Sequence, residues 1–588
     1  MHPLRRLLPY YRRYWLPFSA GNLLLVGSRL FEAAIPQLLG AGIDRIAAGR
    51  PAGLAIAAGI VACVAGRFAA ILIGRRAVRR IGVAVAFDLR NRLYEHLERQ
   101  GPGFFARYRT GDLMARAIND IGLVRQLVAQ GSRTLLVLGF SGLIGFVCMF
   151  RESPSLALLI LPPLPVIFAV AWRLSGRLRA QSLRVQEGFS ELSERVQENL
   201  GGIRTIQALT QEDAEIRRFE SVNDGYALRN LALVRTSSRL AAWMPGLGAL
   251  CTITILLAGG QQVQTGQITL GAFTAFLWYL GMLLWPVREA GNLVNLFQRG
   301  FAGCDRLFEL LDEAPEIADP PGADAPATLA GAIELRRVSC RYPGASRPAL
   351  SDVSLSIAAG EMVGIVGRVG AGKSTLLRLL VRLLEPDAGS IELDGCALGR
   401  LPLAFLRSRV ALVPQEAFLF SESVRENVAY DDVSRAPAEV RAAAEAADLW
   451  DTLAAFPEGL ETWVGERGIT LSGGQKQRVT LARSFVRDTP VLLLDDSFSG
   501  LDAETEARVL RRLHALRRGR TTLLVSHRVS AVREADRIVV LEAGRVLEAG
   551  TPAELRARGG VFAELEKAQG RRERLLRELA GAAAGGAA

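Results

Sequence analysis

The sequence predicts an α-helical polytopic membrane domain followed by an α/β domain, and three observations carry that prediction. The first half holds six apolar stretches long enough to cross a bilayer. The excess positive charge is confined to that same half. The second half holds short buried-strand patterns, one of which runs into a glycine-rich loop and then a Leu-rich helix.

Of 588 residues, 50% are hydrophobic and 22% charged, with a formal net charge of +12. That composition excludes a disordered chain and is unlike a large water-soluble enzyme. A basic chain first suggests nucleic acid or an anionic membrane surface. Residues 1–310 hold 35 Arg and no Lys against 20 acids, a charge of +15. Residues 311–330 hold five acids and no base, and residues 331–588 hold 36 basic against 34 acidic residues. The charge follows the apolar half, so membrane lipid is the expected neighbour and nucleic acid is not. Six cysteines, at 63, 148, 251, 304, 340 and 396, form no CxxC pair, so neither a zinc site nor a disulfide framework is expected.

About 20 apolar residues span the ~30 Å hydrocarbon core. The expected spans are 16–43, 52–74, 133–151, 155–175, 239–259 and 270–290. Arg5, Arg6, Arg12 and Arg13 with Tyr10, Tyr11, Tyr14 and Trp15 form a basic, aromatic anchor, which puts the N-terminus in the cytosol. The Arg-rich loops 75–132 and 176–238 alternate with the short loops 151–155 and 259–269, as the positive-inside rule requires. The long loops are expected to be helical rods in the cytosol, with Thr110, Gly111 and Asp112 near one tip and Gly201, Thr205 and Gln211 near the other. Arg29, Glu32, Arg67, Arg288 and Glu289 fall within spans. Such residues line a pathway, or else pair between helices or snorkel; the sequence leaves both open for Arg29, Glu32 and Arg67, while Arg288 and Glu289, near a membrane end, read as paired or snorkelling. Pro36, Pro162, Pro163, Pro165 and Pro286 are expected to kink or break helices. A proline-rich, acidic linker, 311–330, then leads to the α/β domain, 331–575, and an Ala/Gly tail, 576–588.

The strand pattern Val363–Val366 leads into Gly367-Arg368-Val369-Gly370-Ala371-Gly372-Lys373-Ser374-Thr375. This is the P-loop pattern between a strand and a helix. Its backbone N–H groups wrap phosphate oxygens, Lys373 neutralises the β- and γ-phosphates, and Ser374 ligates Mg²⁺. Val491–Leu494 is a second buried strand, and it ends in Asp495, a carboxylate placed to support the Mg²⁺ shell.

Leu471-Ser472-Gly473-Gly474-Gln475, between these two motifs, is similar to the LSGGQ signature of ATP-binding-cassette (ABC) ATPases. The resemblance covers nearly the whole chain, as a half-transporter of the ABC exporter class, with six spans fused to one cassette. It implies ATP as the nucleotide, and a dimer in which the signature of one cassette faces the ATP held by the other. By the same resemblance Tyr342 stacks on adenine, Gln415 senses Mg²⁺, Asp502 belongs to the D-loop and His527 is the switch histidine. Glu466 lies in an exporter-type loop facing the coupling helices. The localisation implied is a bacterial inner membrane, with the ATPase in the cytosol. His96 and His514 match no motif and read as ordinary helix residues.

Arg368 and Val369 depart from the family pattern, which often has a small polar residue at the second position, but one departure matters most. The family has Glu after the Walker B aspartate, to orient the attacking water, and here it is Asp496. A carboxylate one methylene shorter is drawn back, and a displacement of about 1 Å costs on the order of 100-fold in rate. The departure resembles the subunit of heterodimeric exporters that has a weak site of its own and an intact signature for its partner. The alternatives are a homodimer with slow ATPase, an exporter-shaped siderophore importer and a regulatory subunit. The substrate class implied is amphipathic: drugs, lipids or peptides.

Overall fold

The computed structural model describes residues 3–571 apart from 52, 324, 466, 467, 469 and 470. Glu466 and the tail from 576 therefore lie outside the described residues, as does the side chain of Arg288. The chain forms two compact units. One comprises residues up to Glu98 together with Thr110–Glu313, and the other Arg99–Arg109 and the chain from Ala314 onward.

The first unit is all helix. Among the described residues, five helices are long and apolar enough to cross a membrane: Trp15–Ala47, Leu54–Glu98, Thr110–Glu152, Glu212–Gln264 and Leu270–Leu311. The sixth expected span, 155–175, is broken. A helix over Pro154–Ile160 ends in a turn at residues 161–162, and a new helix runs from Pro163 to Gly201. Pro162, Pro163 and Pro165 withhold backbone donors and crowd the preceding turn, so the helix is interrupted there and restarts at Pro163. The 45-residue helix Leu54–Glu98 is about 68 Å long, more than twice the hydrocarbon thickness. Its Arg-rich second half stands in the cytosol as a rod.

Small residues and buried polar pairs hold the bundle together. At Gly40 and Gly271 two helices touch backbone to backbone, since a Cβ on Gly271 would lie 2.0 Å from the Gly40 carbonyl oxygen. Only glycine allows that approach. Asp44 Oδ1 accepts the Gly271 N–H at 2.7 Å in the same crossing. Tyr279, fully buried, donates its hydroxyl to the Ala33 carbonyl at 2.9 Å. Asp120, buried, accepts Arg306 Nε at 3.0 Å.

The second unit carries two sheets. An antiparallel sheet has the order β2-β1-β4-β5, with β1 Ile333–Cys340, β2 Leu350–Ile357, β4 Ala388–Leu393 and β5 Cys396–Ala397. A six-stranded sheet has the order β10-β9-β3-β8-β7-β6, with β3 Met362–Val366, β6 Val410–Val413, β7 Val491–Asp495, β8 Thr521–Val525, β9 Arg537–Glu542 and β10 Arg545–Gly550. Every residue of β3, β7 and β8 is buried. That explains their unbroken apolar runs, since a parallel strand is covered on both faces. β9 pairs in parallel with β3, and β10 returns antiparallel at the edge.

Arg517 holds the opposite end of this sheet. It is buried, and its guanidinium donates to the carbonyls of Pro490 at 3.1 Å and Thr521 at 2.9 Å and to Thr522 Oγ1 at 3.3 Å. Burial pulls its pKa down to about 10, so it is still a cation at neutral pH. Arg517→Ala leaves those acceptors unpaired and is expected to lower stability by about 3 kcal/mol. Glu461→Ala removes only an exposed partner of Arg425 and is expected to cost less than about 0.5 kcal/mol. Thermal unfolding of the purified chain with both variants checks the contrast.

Candidate active site

Parallel register gathers the predicted motifs along one sheet edge. Ile365 pairs with Val525, and Val525 with Asp495. The residues that follow each strand therefore emerge side by side: the loop from Gly367, then Ser526–His527, then Asp496. Val413 pairs with Leu494 one step earlier, and Gln415 follows on an exposed bend. Ligands of open α/β sheets bind at such carboxyl-end edges.

The loop Gly367–Gly372 joins β3 to the helix Lys373–Leu380. Gly372 caps that helix with φ +98°, and a Cβ there would meet the Ala349 carbonyl at 2.4 Å, so no other residue fits. Gly370 also has positive φ. Lys373 is buried and folded back over the loop, donating Nζ to the carbonyls of Gly367 at 2.8 Å and Arg368 at 3.0 Å. Burial lowers its pKa, against the opposing pull of Asp496 and Asp495. Ser374 Oγ donates to Asp495 Oδ1 at 2.9 Å. Burial raises the Asp495 carboxyl above its ordinary range, and the Ser374 bond partly offsets this. A desolvated carboxylate beside a hydroxyl is a donor set that suits Mg²⁺.

Asp496 is buried and has left-handed backbone geometry, φ +46°. Aspartate tolerates this better than most residues. Its backbone N–H donates to the Val525 carbonyl at 2.9 Å. Its Oδ1 accepts the His527 backbone N–H at 3.2 Å, and Oδ2 lies 3.8 Å from His527 Nε2. The short side chain is thus fastened to the end of β8. Tyr342 lies against the P-loop helix, with its hydroxyl 3.3 Å from Thr375 Oγ1 and 3.1 Å from Arg378 Nη1.

The signature opens the helix Gly473–Phe485. Ser472 is its N-cap, accepting the Gln475 N–H at 3.3 Å, while Gln475 Oε1 accepts the Ser472 N–H at 2.8 Å. This reciprocal cap leaves the backbone of Gly473 facing open space. Leu471 is buried beneath it, and Gly474 approaches the Gly500 carbonyl. Among the described residues, no hydrogen bond joins Leu471–Gln475 to Gly367–Thr375. Asp502 caps the helix Ala503–Leu516, accepting Glu504 N–H at 3.2 Å and Thr505 N–H at 2.9 Å. These backbone bonds lower its pKa.

Several residues that the motifs did not mark tie this edge together. Gln477 Oε1 accepts the Gly500 N–H at 2.8 Å, joining the signature helix to the segment before Asp502. Arg528 pairs with the buried Glu506 and donates to the carbonyls of Leu501 and Ser499, each at 3.3 Å. Gln569 grips the segment after β8 from both sides, donating to the His527 carbonyl at 2.6 Å and accepting the Val529 N–H at 2.7 Å. Arg528 adjoins His527 and could have been suspected. Gln569 is 42 residues away, and nothing in the local pattern signals it.

In the cytosolic loops, the first tip is a short helix over Pro102–Arg107. Thr110, Gly111 and Asp112 open the returning helix, where Asp112 accepts Arg116 Nε at 3.0 Å. At the second tip, Gly201 ends one rod, Thr205 sits in a short helix over Ile203–Ala208, and Gln211 caps the next rod. Within the membrane unit, Arg29, Glu32 and Arg67 line a cavity of about 1570 Å³. They also pair: Glu32 meets Arg29, and meets Arg67 at 3.1 Å. They thus pair between helices and line the cavity at once.

A phosphate loop and an Mg²⁺-suited carboxylate on one sheet edge, a separate signature helix and a bundle of long membrane helices define an ATP-driven membrane transporter. Residues 18–287 match the family model for the ABC transporter transmembrane region, and residues 350–499 that for the ABC transporter. The chain is 35% identical over 578 residues to a probable multidrug resistance ABC transporter ATP-binding/permease protein of Bacillus subtilis, covering 95% of this chain and 96% of that one. It is 35% identical over 499 residues to an ATP-dependent lipid A-core flippase of Syntrophus aciditrophicus, covering 85% and 83%. The structure of a bacterial Atm1-family ABC exporter with ATP bound matches with a TM-score of 0.80 at 27% identity, covering 95% of this chain and 99% of that one.

The chain belongs to the ABC transporter family, as a half-transporter of the exporter class. It is a multi-pass membrane protein whose cytosolic ATPase domain couples ATP hydrolysis to transport. Exporters of this class act as dimers.

Ser472→Ala removes the signature helix cap and is expected to lower stability by about 1 kcal/mol, whereas Ser472→Asp restores it. Chemical denaturation of the full chain distinguishes the two.

Proposed function

We propose that this chain is one subunit of a heterodimeric exporter for hydrophobic or amphipathic molecules, with a weak ATP site on its own Walker motifs. The observation that supports this is Asp496, held by the His527 backbone N–H at 3.2 Å. In the family a glutamate at this place reaches toward the attacking water, whereas the shorter side chain here is committed to its own sheet.

The P-loop glycines Gly367, Gly370 and Gly372 and the Thr375 region bind the phosphates of ATP, and Tyr342 stacks on adenine. Lys373 gives up its carbonyl contacts to meet the β- and γ-phosphates. Ser374, Asp495 and Gln415 hold Mg²⁺, which when bound neutralises the phosphate charge. His527 contacts the γ-phosphate. Ser472, Gly473, Gly474 and Gln475 present the N-terminus of their helix to the ATP on the partner cassette, with Leu471 seating the motif and Asp502 at the dimer face. Closure reaches the membrane helices through the loop tips near Thr110–Asp112 and Gly201–Gln211, and through Glu466. The second tip exposes Leu200, Ile203 and Leu209, an apolar set suited to docking on a partner chain. ATP drives the cycle because it binds the closed dimer better than the open one. Hydrolysis at the partner's glutamate-bearing site resets it. The relatives' names, multidrug and lipid A-core, support an amphipathic cargo.

The intact signature, Tyr342 and His527 favour a second reading, a homodimer with two slow sites. The two diverge in the purified single chain. Asp496→Glu is expected to raise its ATPase rate on the order of 100-fold. Strong ATPase activity in the unmodified chain that Asp496→Asn abolishes would establish the homodimer instead. Co-purification from native membranes is expected to bring down a second half-transporter.

A further inference from the structure

The membrane cavity is electrostatically one-sided. Arg29, Arg67, Arg75, Arg133, Arg179 and Arg299 line it. Among the described residues that line it, the only carboxylates are Glu32 and Glu289. Glu32 is shared between Arg29 and Arg67, so one negative charge serves two cations. Glu289 accepts a bond from Asn292 at 3.0 Å. The Nε atoms of both Arg29 and Arg67 are buried and have no hydrogen-bond partner. A guanidinium N–H withdrawn from water and left unpaired costs free energy.

The cations are arranged in depth. On the helix Leu54–Glu98, Arg67 lies about 20 Å from the outer end and Arg75 about 32 Å, at 1.5 Å per residue. Arg75 therefore stands near the cytosolic membrane surface, and Arg67 within the hydrocarbon layer. Arg29 lies near the middle of Trp15–Ala47, bridged to the same Glu32. An anion entering from the cytosol passes from one guanidinium level to the next. Around these groups Leu25, Ile71, Val137, Trp278 and Trp285 supply apolar wall, which suits an acyl or aromatic tail.

We infer that this cavity selects amphiphiles with an anionic headgroup, a phosphate or carboxylate, and disfavours cationic ones of the same tail. The inference takes this cavity as the cargo site and rests on the proposed amphipathic cargo, which it narrows. In water-poor surroundings four uncompensated positive charges repel a cation strongly, while a phosphate or carboxylate matches the guanidinium fork.

The test uses the full chain in phosphatidylcholine nanodiscs, with decyl phosphate and decyltrimethylammonium as tail-matched probes. Binding is read from the fluorescence of Trp278 and Trp285, with Trp→Phe variants assigning the signal. Decyl phosphate is expected to bind at least about tenfold more tightly than the ammonium probe, with the preference shrinking as salt rises. Arg29→Gln with Arg67→Gln is expected to erase most of that preference. Glu32→Gln is expected to tighten phosphate binding several-fold, an outcome a misfolded variant cannot produce. Equal binding of the two probes, or tighter ammonium binding, overturns the anionic selectivity and leaves the amphipathic cargo reading standing. Binding of neither probe overturns both. The measurement needs no hydrolysis, so failure of the weak-site proposal does not touch it.

Discussion

The parallel pairing of β3, β8, β7 and β6 is what the cytosolic unit depends on. Three residues in register, Ile365, Val525 and Asp495, deliver three chain segments distant in sequence to one edge. Burial on both faces makes the register hard to shift. The same burial desolvates Lys373 and Asp495, lowering the one pKa and raising the other. Both groups are thus poised to gain from a charged ligand, and the fold itself supplies that tension.

The membrane unit solves a different problem with similar means. Its helices have little hydrophobic drive to associate within lipid, so close packing and polar pairs must do it. The Gly40–Gly271 crossing and the Tyr279–Ala33 bond are of that kind. Arg29, Glu32 and Arg67 belong to the same economy, but they face an open volume instead of being sealed between helices. A polar group in a membrane bundle can therefore serve packing and cargo together.

Much of this was legible in the residues. The P-loop, Walker B strand and signature were readable because each motif is local, and its glycine or buried-strand context is as diagnostic as its letters. The spans were readable from length and charge. The break after Ile160 was foreshadowed by Pro162, Pro163 and Pro165. Thr110–Asp112 was expected near a loop tip, while the tip itself is the helix Pro102–Arg107. Gly101-Pro102 stops one rod and starts that helix, a local signal that a search for the TGD motif passes over. The contacts of Gln477, Glu506 and Gln569 were beyond reach, because tertiary contact brings them to their partners and sequence spacing does not.

The contact at Gly40 and Gly271 has a mechanical side. With the two backbones touching and Asp44 bridging to the Gly271 N–H, the first and last membrane helices have no slack between them at that point. A sliding or twisting motion there would collide carbonyl with carbon before it travelled a single helical turn. The pair is thus a bearing plate for the bundle. The proline-broken segment at residues 161–162, by contrast, is a place where helix continuity is already given up.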